Sequence, residues 1–198
     1  MLKNITGLWI LERIRKELGG VAVRELVEAA SAAAPWRSLI DPDDPRFFHP
    51  PSMVNAIVAF CADTGQPRPD TAGALARAVF DSLALSYRTV SGELAELRGS
   101  PVSRIHIVGG GSQNRLLNQL CADACEVPVR AGPVETSALG NACLQLIGLG
   151  VLPSLDAARA LIRRSYPVED YTPGAPVPAD SLQRFAAFRA VRAPHHPA

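Results

Sequence analysis

Between residues 5 and 18 the apolar positions Ile5, Leu8, Trp9, Leu11, Ile14 and Leu18 recur every three or four residues. Glu12, Arg13, Arg15, Lys16 and Glu17 fill the gaps, and Gly19-Gly20 follows. That spacing predicts an amphipathic helix from 5 to 18, ended by the glycines. An alanine-rich helix is expected from Val23 to Ala34, stopped by Pro35, and another from Ser52 to Thr64, ended by Gly65. The strongest pattern lies between 71 and 98, where Leu75, Val79, Phe80, Leu83, Tyr87, Val90, Leu94 and Leu97 keep the helical period. Asp70 or Thr71 can cap its start and Gly99 its end. At ~1.5 Å per residue this helix is about 40 Å long, a spine for shorter elements.

After Pro101 the period changes. Arg104-Ile105-His106-Ile107-Val108 reads as a strand, Gly109-Gly110-Gly111 breaks it, and Gln113 to Ala124 reads as a helix with Ser112 at its cap. Val127-Pro128-Val129 is a second short strand, and a strand-helix-strand crossover makes the pair parallel. Helices follow at Thr136–Leu149, Leu155–Ser165 and Asp180–Val191, with Tyr166 to Pro178 as a proline-rich linker or surface chain. The region 36–51 combines Pro42, Pro45, Pro50 and Pro51 with Asp41, Asp43 and Asp44, so an ordered, turn-rich loop is expected there. Two strands cannot bury much by themselves, which suggests an incomplete domain.

Composition adds boundaries. The chain has 198 residues, 47% hydrophobic and 20% charged, with a net charge of +1, which excludes disordered and collagen-like chains and fits one globular domain or part of a larger protein. Twenty basic residues against 19 acidic ones, without a basic run, leave no electrostatic footprint for nucleic acid or an anionic membrane. Charges at helical period break up the apolar patch 8–11, so it reads as neither signal peptide nor membrane span. Cys61, Cys121, Cys125 and Cys143 lack CxxC spacing and sit in apolar helical stretches, where reduced thiols behave as small hydrophobes. A cytoplasmic location follows as the expectation.

The triple glycine is the most informative chemistry. A strand-to-helix turn without side chains lets a ligand lie against the backbone, and the helix start behind it offers N–H groups to an anion. A nucleotide phosphate or adenosine fits; a tight turn with no ligand fits equally. Ser112-Gln113-Asn114 stands where a P-loop would need Lys and Ser or Thr. A dinucleotide fingerprint would need glycine at Asn114 and an acid at Arg130. Gln113 and Asn114 instead carry amides suited to an adenine edge. Gly132 to Ala142 supplies a second helix start beside the first crossover, either for packing or to complete a site between the two. The aspartates at 41, 43 and 44 are more readily turn formers than Mg²⁺ ligands. No role is assigned to His49, His106, His195 or His196.

The run IHIVGGGSQNRLLNQLCADACEVPVRAGPVETSALGNA, residues 105–142, resembles the adenosine-binding segment of the FGGY family of carbohydrate kinases. LKNITGLWILERI, DPDDPRFFHPPSM and ARAVFDSLALSYRTVSGELAELRG extend the resemblance over about residues 2–165. They narrow it to members that phosphorylate L-rhamnulose at the 1-position with ATP and Mg²⁺. The resemblance implies an α/β fold of the actin-like, ribonuclease-H-like class, here truncated, mostly helical, with a short parallel sheet. It implies that residues 1–192 are the second, ATP-binding domain without its opening strands, and 193–198 a tail. The first domain, carrying the aspartate base, lies outside, so turnover by this chain alone is not expected. By position, Gly110 matches an ATP-contacting glycine, extended to Gly111 and Asn114, and Asn4 matches a sugar-contacting asparagine, a position that also suits a helix N-cap. Glu12 stands where the family has a nucleotide-contacting glutamine, so its carboxylate would repel phosphates unless a cation intervenes. Asn4 and Glu12, about 12 Å apart along one helix, would reach sugar and nucleotide respectively. Ala78 stands where some relatives pair a cysteine with Cys61. Open alternatives are a kinase for another ketose or polyol, and a non-catalytic interaction module. Bare apolar surface left by the missing strands makes self-association plausible.

Overall fold

A computed structural model describes residues 5 and 7–192 of the chain. In order it contains α1 (Trp9–Glu17), α2 (Val23–Ala32), a 3-10 turn (Pro45–Phe47), α3 (Met53–Asp63) and α4 (Ala72–Arg98). There follow β1 (Ile105–Ile107), a second 3-10 turn (Gly110–Gln113), α5 (Arg115–Cys125) and β2 (Val129–Ala131). The chain continues with α6 (Thr136–Gly148), α7 (Leu155–Ser165), β3 (Glu169–Tyr171) and α8 (Ala179–Arg192).

The spine is α4. The Thr71 hydroxyl accepts from Ala74 N–H at its start, and Gly99 takes the left-handed conformation (φ 65°) at its end. Its first half is buried on every side: Leu75, Val79, Phe80 and Leu83 join Ile10 and Ile14 of α1, Leu26 of α2, and Ile57 and Phe60 of α3 in the main core. Cys61 and Ala78 are both buried, and burial pushes the Cys61 thiol up to about 11, so it stays protonated and inert. The four cysteines are free.

Four expectations are corrected. The first helix begins at Trp9 rather than residue 5, because Gly7 precedes it and a glycine inside a helix costs about 1 kcal/mol. The second ends at Ala32 with Ala33 already extended, as the approach to Pro35 requires. The second strand lies at 129–131, not 127–129, because Glu126 closes α5 in a left-handed conformation and Pro128 has no N–H for a ladder. The supposed linker 166–178 contains a third strand.

The sheet order is β1-β2-β3, with β1 and β2 parallel as expected, Ile105 opposite Val129, and β3 antiparallel to β2, Val129 opposite Tyr171. The sheet is therefore mixed. Its isoleucine face turns toward α4 and α5, since Ile105 and Ile107 line a groove with Tyr87, Leu117 and Cys121. The alternate positions carry His106, Arg130 and Asp170, aligned across the three strands.

Candidate nucleotide site at the ends of the parallel strands

Both crossover turns lie beyond the carboxyl ends of β1 and β2 and are pinned together. Gly109 N–H donates to Pro133 C=O at 3.2 Å, and Gly132 N–H donates to Ile107 C=O at 2.8 Å. The Thr136 hydroxyl donates to the same Pro133 carbonyl at 2.6 Å, so the start of α6 is fixed beside the first turn. The two helix starts thus share one end of the sheet.

Within the triple glycine the residues answer to different demands. Gly109 has φ 77° and ψ −163°, a region that side chains avoid. Gly110 has no positive φ, is exposed, and a Cβ built there would meet nothing within 4 Å. At Gly111 a Cβ would sit 3.8 Å from Ile107 Cγ2, an ordinary contact. Gly132 is required by close approach, because at φ 114° a Cβ would lie 2.9 Å from Pro167 C=O. Folding explains glycine at 109 and 132 but makes no demand at 110.

The expected cap is corrected. Ser112 does not start the helix: its backbone N–H and its hydroxyl both donate to Gly109 C=O, at 3.0 and 2.7 Å, closing the 3-10 turn. The cap is Asn114, whose Oδ1 accepts from Leu117 N–H at 3.1 Å. Its Nδ2 is buried without a partner among the described residues. Asn118, fully buried on α5, donates from Nδ2 to Ser112 C=O at 2.9 Å and braces the turn from beneath. Sequence reading passed over Asn118, although an amide among Leu116, Leu117, Leu120 and Cys121 was its visible signal. By contrast α6 begins without a side-chain cap.

Glu12 is not brought to this turn by any hydrogen bond or shared cavity among the described residues. Its carboxylate is held bidentately by Arg15 at 2.7 and 2.8 Å, with Lys16 Nζ at 3.7 Å. The Arg15 hydrogen bond holds it below the usual carboxylate range. The cation that a carboxylate near phosphate would require is therefore its own neighbour. Asn4 lies outside the described residues, and Glu12 lies on α1, which begins at Trp9. The aspartate loop forms turns: Asp41 Oδ1 accepts from Asp43 N–H at 3.2 Å, and Asp44 Oδ1 from Arg46 N–H at 2.9 Å. Among the described residues no three His, Cys, Asp or Glu side chains form a group able to hold a metal ion.

Residues 1–149 match the model of the FGGY family of carbohydrate kinases, C-terminal domain. The chain belongs to the FGGY family. It is 49% identical over 194 residues to a rhamnulokinase of Pectobacterium carotovorum, covering 98% of this chain and 39% of that protein. It is 50% identical over 190 residues to a rhamnulokinase of an Enterobacter species, covering 96% and 38%. The chain thus spans about two fifths of the length of these curated relatives. Among solved structures, a gluconate kinase from Lactobacillus acidophilus aligns with TM-score 0.62 at 20% identity, over 94% of this chain and 38% of that one. A xylulose kinase from Rhodospirillum rubrum gives 0.58 at 24%, over 95% and 38%. These likenesses show the fold alone, a mostly helical domain whose small mixed sheet carries the glycine turn.

Proposed function

We propose that this chain is the nucleotide-binding part of a carbohydrate kinase that transfers a phosphoryl group from ATP to L-rhamnulose, giving L-rhamnulose 1-phosphate. Its likeness to rhamnulokinases over nearly its full length supports the sugar, and Gly110 carries the nucleotide reading. Glycine at a position where folding allows any residue is what a planar purine nucleoside lying on the peptide requires. Gly111 continues that surface, Asn114 Nδ2 is the unused donor beside it, and the uncapped first turn of α6 can receive phosphate charge. Gln113 is exposed at the same edge.

Glu12 enters this reading as a carboxylate already neutralised by Arg15 and Lys16, and Asn4 as a sugar contact. Mg²⁺ would travel with the ATP phosphates and supply charge neutralisation, held by parts of the kinase outside this chain. The aspartate that removes the sugar proton belongs there too. The domain extends in this reading through residues 1–192, in a cytoplasmic enzyme. No helix among the described residues is long and apolar enough to cross a membrane.

The test is calorimetric titration of the chain with ADP. Gly110→Val should weaken binding at least tenfold, about 1.4 kcal/mol, without changing the melting temperature. Equal affinity in Gly110→Val and the parent chain would remove the nucleotide from this turn.

A further inference from the structure

We propose that a small cavity at the start of α4, closed by the loop 36–38 and the segment 67–69, binds one small inorganic anion of the size of chloride. The cavity shares no residue with the glycine turn, so this inference stands apart from the nucleotide reading.

The wall carries an excess of positive charge. Arg37, Arg68 and Arg77 line the cavity, and Asp81 is the one acid among its lining residues. Both Asp81 oxygens are already engaged, Oδ1 by Arg77 Nε at 2.8 Å and Oδ2 by Trp36 N–H at 2.6 Å. Arg77 is itself more than nine-tenths buried, at 8% exposure. Its Nη1 makes only a long bond of 3.5 Å to Ala30 C=O, and its Nη2 has no partner among the described residues. The guanidinium groups of Arg37 and Arg68 form no ion pair or hydrogen bond with a described residue. Three guanidinium groups thus share a partly enclosed space with one committed carboxylate. A negative charge is attracted there, and the free N–H groups can form charge-assisted hydrogen bonds to it.

The walls are fastened to one another, and their spacing selects the ligand. Ser38 Oγ donates to Pro67 C=O at 2.7 Å, while Gln66 accepts from Leu39 N–H and donates to Leu39 C=O, both at 2.8 Å. The Trp36–Asp81 bond then ties the loop to α4, so an anion meets donors already in place. Arg184 adds a cation behind the same loop, donating to Trp36 C=O at 2.6 Å and Arg37 C=O at 3.3 Å. A volume of about 40 Å³ holds one halide ion or one or two water molecules, whereas a sugar or nucleotide needs roughly 300 Å³ or more. Water leaves the positive excess in place; an anion balances it.

The experiment reads chloride directly, by the broadening of its NMR line when the chain is added. Replacing two exposed side chains together, Arg37→Ala with Arg68→Ala, should cut that broadening several-fold, with helical circular dichroism unchanged. Arg163→Ala, at an exposed arginine of α7, should leave the broadening as it is. Melting supplies a second readout. At equal pH and ionic strength, chloride in place of gluconate, which is too large for the cavity, should raise the melting temperature of the parent chain by about 3 °C and that of the double variant by less than about 1 °C. Absence of broadening by the parent chain overturns the proposal and leaves water as the occupant. So does broadening that survives the double variant, or equal melting of the parent chain in the two salts. The ADP titration turns on Gly110 and not on these arginines, so the two readings fail separately.

Discussion

Gly109 and Gly110 are adjacent and chemically identical, yet only the first is required by the backbone. Gly109→Ala should destabilise the chain by about 1–3 kcal/mol, because φ 77° with ψ −163° is a region that L-residues occupy only under strain. Gly110→Ala should leave stability within about 0.5 kcal/mol and change only what binds there. Urea denaturation of the two variants checks the contrast. Asp81 is a second residue whose setting decides its behaviour. It is fully buried on α4, where it pairs with Arg77 at 2.8 Å and accepts from Trp36 N–H at 2.6 Å. Burial pushes its carboxyl up to about 6, against the pull of Arg77 and the Trp36 hydrogen bond. With the folded-state value above the ordinary 3.8, the stabilisation it gives is fully present below about pH 4 and is lost as pH rises through about 6. Relative to Asp81→Asn, the parent chain should therefore gain up to about 3 kcal/mol as pH falls from 7 to 4, measured by chemical denaturation.

Two contacts between elements hold the helices in place. Gly73, in the first turn of α4, lies so close to α2 that a Cβ would stand 2.5 Å from Ala29 C=O. Both partners are backbone or helix-fixed atoms, so Gly73→Ala must part the two helices, at a cost of about 1–3 kcal/mol. A loss of melting temperature with intact helical circular dichroism is the expected signature. The second contact is a borrowed cap. Glu17, at the end of α1, accepts from the Ser52 hydroxyl at 2.8 Å and from Met53 N–H at 2.5 Å, satisfying the start of α3. Burial raises the Glu17 carboxyl, but the Met53 and Ser52 hydrogen bonds outweigh it and hold the value below 4.5. Its stabilisation is thus present above the ordinary carboxylate range and lost as pH falls below it, opposite in sign to Asp81. Glu17→Ala should cost about 1 kcal/mol at pH 7 and progressively less in acid, followed by denaturation at several pH values.

At the scale of the molecule, α4 gives half its length to a complete core and the other half to a groove. The first half is enclosed by α1, α2 and α3, whereas Val90 and Leu94 look onto open space beside β1. A carbohydrate kinase must bring a hydroxyl and a γ-phosphate together from two sides. In the reading proposed above this chain holds the nucleotide side alone, so it should show no ATP-dependent phosphorylation of L-rhamnulose above background in an ADP-release assay, even when ADP binds.

What the sequence determined is local and periodic. The helical period of 72–98, its Thr71 cap and Gly99 stop and the glycine turn were legible because each rests on neighbours a few residues apart, and the parallel pairing of β1 with β2 was legible because a strand-helix-strand crossover allows few other arrangements. The aspartate turns were legible for the same reason. Tertiary structure decided the rest. β3 has no alternation of its own and exists through pairing with β2 and the Arg130–Asp170 contact at 2.7 Å, partners 40 residues apart. Asn118 became the brace of the turn only through placement in space, whereas Arg15 stands one helical turn from Glu12 on α1, so that counter-charge was within reach of the local pattern. The family resemblance singled out Gly110 by position, and the fold supplied the physical contrast with Gly109, whose backbone conformation itself demands glycine. A local pattern records which conformations a segment prefers, whereas which groups meet across the chain depends on how all segments pack at once.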